Sequence, residues 1–389
     1  MPKPAKISII LAIAAAVMVG LSSCDRKKSS QTPYDKALAE IKRAQADGAT
    51  ELNLTQMGLT HLPPEIGQLT SLQVLWVSDN ELTNLPPEIG QLTSLMAINL
   101  GKNKLIDLPE EFANLTNLES LDICSNDLTS LPKEITKLTS LQRLGLGNNH
   151  LINLPKEFAN LTNLVTLGID SNELASLPVE ICQFTSLRGL DLRSNKLTDL
   201  PKEFANLTSL KRLDLCSNSL TSLPSVIGEL EILEDLYLNQ NKLTCLPSEI
   251  SQLKKLESLF LNRNNIISLP PEITQLDNLE ELHLKLNGLT SIPAGISQLT
   301  SLKVLNLSCN DIISLPPEIV NLKSLERLNL YDNKLKVLPR WITQLDLDIC
   351  WNGGYYGIQL NGNPLEDPPV EIVKQGKEAV KAYFQEQDK

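Results

Sequence analysis

Asparagine stands at residues 80, 103, 126, 149, 172, 195, 218, 241, 264, 287, 310 and 333, twelve positions at a spacing of 23 kept without a slip. A metre that strict restricts the chain to one kind of architecture, a stack of equivalent units in which each touches only its neighbours. Ahead of each asparagine lies an apolar pair separated by one residue, as in Leu75/Val77, Leu121/Ile123, Leu213/Leu215 and Leu328/Leu330. That alternation belongs to a short strand with one buried face. Proline returns on the same period from Pro63 to Pro339, most often opening a Pro-x-Glu-Ile phrase. The phrase predicts one tight helical turn with the proline at its first position. Each unit therefore reads as strand, turn and short helical return.

The periodic asparagine has a physical task. Where the chain leaves a strand, backbone groups turn inward and need partners, and an amide side chain supplies both donor and acceptor. Asn126, Asn149, Asn172, Asn195, Asn218 and Asn241 are thus expected to form the middle of a structural ladder. By length alone, 389 residues allow two or three domains. With 42% hydrophobic but only 4% aromatic residues, and no Gly/Ser-rich linker, one long regular body is expected instead. A formal net charge of -11 argues against a phosphate backbone as partner.

Leu118 to Pro132 carries the phrase Leu-x-x-Leu-x-Leu-x-x-Asn-x-Leu-Thr-x-Leu-Pro, with Ile123 in place of the third leucine and Asn126 on the ladder. This resembles the leucine-rich repeat signature. The Leu-Pro-x-Glu-Ile-x-x-Leu-Thr-x-Leu stretch at Leu131 to Leu141 looks most like the 23-residue class of Ras-suppressor-like, plant intracellular Ras-group and bacterial repeat proteins. The resemblance covers about residues 49–389. It implies an α/β solenoid, a right-handed horseshoe with a concave parallel β-sheet, short helical turns on the convex side and helical caps at both ends. It also implies a binding role.

A terminal repeat would expose its leucines, so both ends need covers. Thr32-Pro33-Tyr34-Asp35 fits a capping box, and residues 33–48 are expected to form an N-terminal cap helix with Tyr34, Leu38 and Ile41 on one face. Repeats then run over residues 49–344, the first carrying Met57 in place of the asparagine. Between Asn333 and Asn363 the spacing stretches, so residues 345–389 are expected to hold an irregular last repeat and a C-terminal helical cap. That segment resembles the close of bacterial repeat domains that precede a Ras-like GTPase domain. No such domain follows in this sequence, and nucleotide hydrolysis is not expected of it.

Ahead of the cap, Lys3 and Lys6 precede an uncharged, mostly apolar run from Ile7 to Leu21, and Leu21-Ser22-Ser23-Cys24 follows at once. That run is too short to span a bilayer comfortably. The segment resembles a bacterial lipoprotein signal peptide, which implies removal of residues 1–23 and lipidation of Cys24. Residues 24–32 would then be a flexible tether. The expected location is the bacterial cell envelope, lipid-anchored on the periplasmic side of a membrane or at the cell surface.

Catalytic and metal-binding patterns are missing. Gly145-x-Gly147 lacks the third glycine and the helix of a dinucleotide site, and no Gly-x-Ser-x-Gly, P-loop lysine or His-Glu-x-x-His occurs. His61, His150 and His283 fall in different repeats without metal-ligand spacing. No enzyme activity, metal or cofactor is expected. Cys124 and Cys216 share one repeat position four repeats apart, roughly 19 Å at the usual strand spacing, too far for a disulfide. With Cys182, Cys245, Cys309 and Cys350 they are expected to be free, mostly buried thiols.

Recognition must reside where the repeats differ. The residue four before each ladder position should face the concave side: Trp76, Asn99, Asp122, Gly145, Gly168, Asp191, Asp214, Tyr237, Phe260, His283, Asn306 and Asn329, with Asn53 ahead of them. Packing leaves these positions free. Tyr237, Phe260 and His283 fall in consecutive units, and Arg193, Arg212, Arg263, Lys285 and Tyr331 lie nearby, a composition suited to an interface. The alternative for the rings is cross-strand stacking that only stabilises the sheet. The expected function is non-enzymatic recognition of a protein or peptide on the concave sheet by a lipid-anchored monomer, without nucleic acid or small-molecule cofactor. An envelope scaffold or surface adhesin without a defined concave pocket is the alternative.

Overall fold

A computed structural model describes residues 31–351 and 356–387. The expected signal segment 1–23, Cys24 and most of the tether lie outside the described residues. Helix α1 (Pro33–Asp47) begins at Thr32, whose hydroxyl accepts the Asp35 N–H at 3.1 Å while the Asp35 carboxylate accepts the Thr32 N–H. Gly48 ends it at φ 60, the left-handed conformation glycine adopts at least cost. The buried face differs from the expected one: it is Ala37, Ile41 and Ala44, whereas Tyr34 is 38% exposed. Those three share the i, i+4, i+7 stripe of a helix, and two alanines let α1 lie close to the first repeat.

Among the described residues fifteen parallel strands form one sheet, from β1 (Glu51–Asn53) through β13 (Arg327–Asn329) in sequence order. Each of these is three residues long, and its middle residue points inward and stacks on the same residue of the next unit, as in Leu236 on Leu259 on Leu282. Between strands run short 3-10 turns such as Pro87–Gln91. The periodic proline precedes this turn instead of opening it: Pro86, at φ -70 and ψ 147, is still extended. Where a second proline follows, as at Pro87, it takes the first helical position, where its missing N–H leaves nothing unsatisfied.

Ladder geometry repeats along the stack. The Asn126 amide donates to the carbonyls of Leu100 (3.1 Å) in the preceding repeat and Ile123 (3.0 Å) in its own, while its oxygen accepts the Leu105 N–H at 2.9 Å. Asn149, Asn172, Asn195, Asn218 and Asn241 make the same three kinds of bond. Met57 makes none of them, yet its backbone N–H is received by Asn80 at 3.0 Å.

The C-terminal end is more regular than its sequence spacing suggests. Asn363 continues the ladder, accepting the Leu335 N–H at 3.0 Å and donating to Leu330 and Leu360. Strand β15 (Gly357–Gln359) pairs directly with β13, and the inserted residues supply β14 (Ile349–Cys350) on its outer side. The extra residues thus loop past the ladder without interrupting it. Helices α2 (Val370–Val373) and α3 (Lys377–Gln387) close this end, burying Val373, Val380 and Phe384. Among the described residues no helix is long and apolar enough to cross a membrane.

The six described cysteines are free thiols, but only Cys182 is fully buried; Cys245 is exposed and the others are intermediate. Apart from Cys350 in β14 they sit at the strand exits and in the turns and loops, and the expectation of mostly buried thiols fails. Burial pushes the Cys182 and Cys216 thiols up to about 12, which disfavours the reactive thiolate in both near neutral pH.

Candidate partner-binding surface

The concave positions fall into three sets: Asn or Asp, the rings Tyr237, Phe260 and His283, and Trp76, Gly145 and Gly168, which carry neither. Where the third strand residue is Asn or Asp, its side-chain oxygen takes the backbone N–H two residues on: Asn53 with Thr55, Asn99 with Gly101, Asp122 with Cys124, Asp191 with Arg193, Asp214 with Cys216, Asn306 with Ser308 and Asn329 with Tyr331, all at 2.9 to 3.1 Å. These side chains tie down the strand exit. Packing therefore does fix them, contrary to the expectation that the whole column varies freely.

Tyr237, Phe260 and His283 cannot make that bond, and the fold satisfies the orphaned N–H groups from the neighbouring repeat. Asn239 accepts the Asn262 N–H and Asn262 accepts the Lys285 N–H, both at 2.8 Å. The Cys216 sulfur takes the Asn239 N–H, and Cys124 does the same for Gly147, which follows the bare Gly145. Two asparagines at one repeat position directly behind two rings were the sequence signal for this compensation. Sequence reasoning missed it.

The rings stack as one column. Tyr237 and Phe260 lie 4.9 Å apart at 13°, and Phe260 and His283 lie 4.4 Å apart at 6°. The Arg212 guanidinium covers the free face of Tyr237 at 4.7 Å, so cation and rings span four consecutive repeats. At the far end the His283 ring meets the Glu281 carboxylate at 3.1 Å, and burial holds its pKa below the ordinary histidine range.

The other sequence-predicted residues are placed differently. Arg193 is held by Asp191 at 2.9 Å and by Asp170 at 3.9 Å, two strands from Tyr237 and away from the stack. Lys285 is exposed, two residues after His283 on the same strand side. Arg263 occupies the turn after Phe260 at φ 58. Tyr331, 39% exposed, stands two repeats beyond His283. Beside the stack a shallow depression of about 210 Å³ opens over Gly168 and Gly189, edged by Asp191, Asp214 and Arg212.

Burial pushes the Asp191 carboxyl up to about 6, against the backbone N–H and charge of Arg193 and helped by the charges of Asp170 and Asp214. Between the ordinary carboxylate range and that value the folded chain holds a proton the unfolded chain has released. The contribution of Asp191 to stability thus grows as pH falls through 6 and is lost as pH rises. Asp191→Asn removes this dependence: urea titrations should show the variant gaining most over wild type at pH 8 and least near pH 4.

An open parallel sheet of short strands, laddered on one side and carrying a composite aromatic surface on its concave wall, defines a repeat solenoid of the binding class. A family model described as leucine-rich repeat region matches residues 51–129, and one described as leucine rich repeat matches successive windows from 116–174 to 300–348. The chain belongs to the leucine-rich repeat family. A leucine-rich repeat protein of Leptospira interrogans is 37% identical, with 86% of this chain and 96% of that one covered and a TM-score of 0.72. The plant peptide hormone receptor RGFR1, solved in complex with RGF2, is 32% identical over 78% of this chain and 50% of its own, at a TM-score of 0.66. TLR13, solved in complex with ssRNA13, is 25% identical over 85% and 52%, at a TM-score of 0.65. This chain spans about half the length of each of those two receptors. No curated protein matches significantly.

Proposed function

We propose that the chain is a non-enzymatic recognition protein that holds a protein or peptide partner on its concave sheet, centred on Arg212, Tyr237, Phe260 and His283. One observation carries this reading. At three consecutive repeats rings replace the Asn or Asp that ties down the strand exit in seven others. Unlike at Trp76, Gly145 and Gly168, which also lack it, Asn239 and Asn262 relay the orphaned groups from repeat to repeat. A part-exposed column of rings capped by a guanidinium has the composition that interfaces favour, and this supports a binding role over sheet stacking alone. The complex of RGFR1 with RGF2 supports a peptide as ligand class, and the net charge of -11 disfavours nucleic acid here.

The test uses a soluble form starting at Asp25 as bait on envelope extract, beside a variant with alanine at Arg212, Tyr237 and Phe260. The wild type should retain a partner that the triple variant loses, with thermal unfolding nearly unchanged. Equal retention by both would turn the reading toward an envelope scaffold or adhesin.

The proposed location is the bacterial envelope, tethered through lipid on Cys24, and it rests on the basic start, the apolar run and the small residues before that cysteine. Metabolic labelling with a radioactive fatty acid should mark the wild-type chain and leave Cys24→Ala unmarked. Equal labelling of both would place the modification elsewhere or end the proposal.

A further inference from the structure

The stack is edged by charged side chains at both the entrances and the exits of its strands. At the strand entrances Glu234 is neutralised by Lys211 and Glu280 by Lys303, and Glu281 is engaged by His283. Asp235 and Glu257, on the same side, make no salt bridge among the described residues. At the strand exits Arg263 and Lys285 are exposed and without a salt bridge, whereas Arg193 is committed to Asp191; Arg212 lies at a strand entrance, in register with Asp235, and is committed to the Tyr237 ring. The ridge of rings is therefore flanked by two free anions on one side and two free cations on the other.

The ring column is one side chain wide and crosses four adjacent strands between these charges, a footprint that fits a narrow segment laid across the strands. We infer that the occupant is a peptide segment lying across the strands along the stack, with an apolar ridge between a carboxylate-bearing edge, over Arg263 and Lys285, and an ammonium-bearing edge, over Asp235 and Glu257. This rests on the proposed binding role and adds the chemistry and orientation of the partner. Such a segment is selected locally, against the long-range field. The net charge of -11 alone favours a uniformly cationic ligand, but fields from distant charges fade beyond about 8 Å at physiological ionic strength.

The experiment measures fluorescence anisotropy of three labelled probe peptides sharing one Leu/Phe ridge. One carries Glu on one edge and Lys on the other, one carries Lys on both edges, and one carries Glu on both. The first should bind the wild-type chain about tenfold tighter than either uniform probe. In the Arg263→Glu/Lys285→Glu variant its advantage should vanish and the all-Lys probe should become the best ligand. Tightest binding of the all-Lys probe to the wild type, or indifference of the order to that double substitution, overturns the inference. Phe260→Ala separates the two levels. If it abolishes binding of every probe while the charge variant changes nothing, the ring surface stands and the charge assignment falls. If it leaves binding intact, the ring surface itself is wrong.

Discussion

Asn195→Ala should lower stability by about 3 kcal/mol, read as a shift in the urea midpoint. The side chain is 8% exposed, accepts the Leu174 N–H at 3.1 Å and donates to the carbonyls of Ile169 at 2.9 Å and Leu192 at 3.1 Å. Alanine orphans all of these in a place water does not reach, and each buried group left alone costs about 1 to 3 kcal/mol. Asn195→Asp should be no better. It keeps an acceptor for Leu174 but turns a carboxylate toward two carbonyl oxygens. The contrasting substitution is Asn329→Ala, which removes a single bond, to the Tyr331 N–H at 3.0 Å, and should cost about 1 kcal/mol. Because each unit is held only by its neighbours, the Asn195 lesion should also broaden the transition as the two flanks begin to melt separately. A midpoint shift for Asn195→Ala no larger than that for Asn329→Ala would show that the ladder is not what joins the repeats.

Phe158→Ala should be the most damaging single truncation, at about 4 kcal/mol. Phe112, Phe158 and Phe204 occupy the return-turn position held by isoleucine in other repeats, and each is followed by alanine. Phe158 is fully buried, and its ring meets that of Phe184 in the next repeat edge-on, with centroids 5.4 Å apart at 68°. Alanine here removes an aromatic contact as well as volume, and the 3-10 turns on either side are too tightly hydrogen-bonded to collapse into the gap. Phe158→Leu keeps most of the volume and should cost about a third as much. Equal midpoints for the alanine and leucine variants would mean that the convex side is looser than the structure shows.

How much of this was legible depended on whether a constraint recurs. Ladder, strand face and turn were readable because the same backbone requirement returns every 23 residues. Single events were harder. Tyr34 and Leu38 drew attention as the large apolar residues of α1, yet close approach to the first repeat calls for alanine at positions 37 and 44. The stretched interval before Asn363 suggested an irregular last repeat, but sequence spacing cannot show that the extra residues form an outer strand before the chain returns to pair with β13. On the concave wall, Asn99 and Asn306 looked like free surface because their bond is to the chain two residues on, a contact with no periodic partner residue to betray it. The ring column was visible as three consecutive aromatic positions. The support from Asn239 and Asn262 left a trace in the sequence, two asparagines 23 residues apart, but its partners are defined only once strands are placed in register.

The ladder also has a direction. Each asparagine reaches back, completing the turn of the coil before it and leaving its own to be completed by the coil after, as Asn126 does for Leu105 and Asn149 for Leu128. On a ribosome, where the N-terminal end emerges first, the newest coil is always the unfinished one, and it is sealed only when the next 23 residues have been made. Assembly is thereby ordered by synthesis itself, with every growing intermediate carrying one open end until Asn363 arrives to seal the turn behind it.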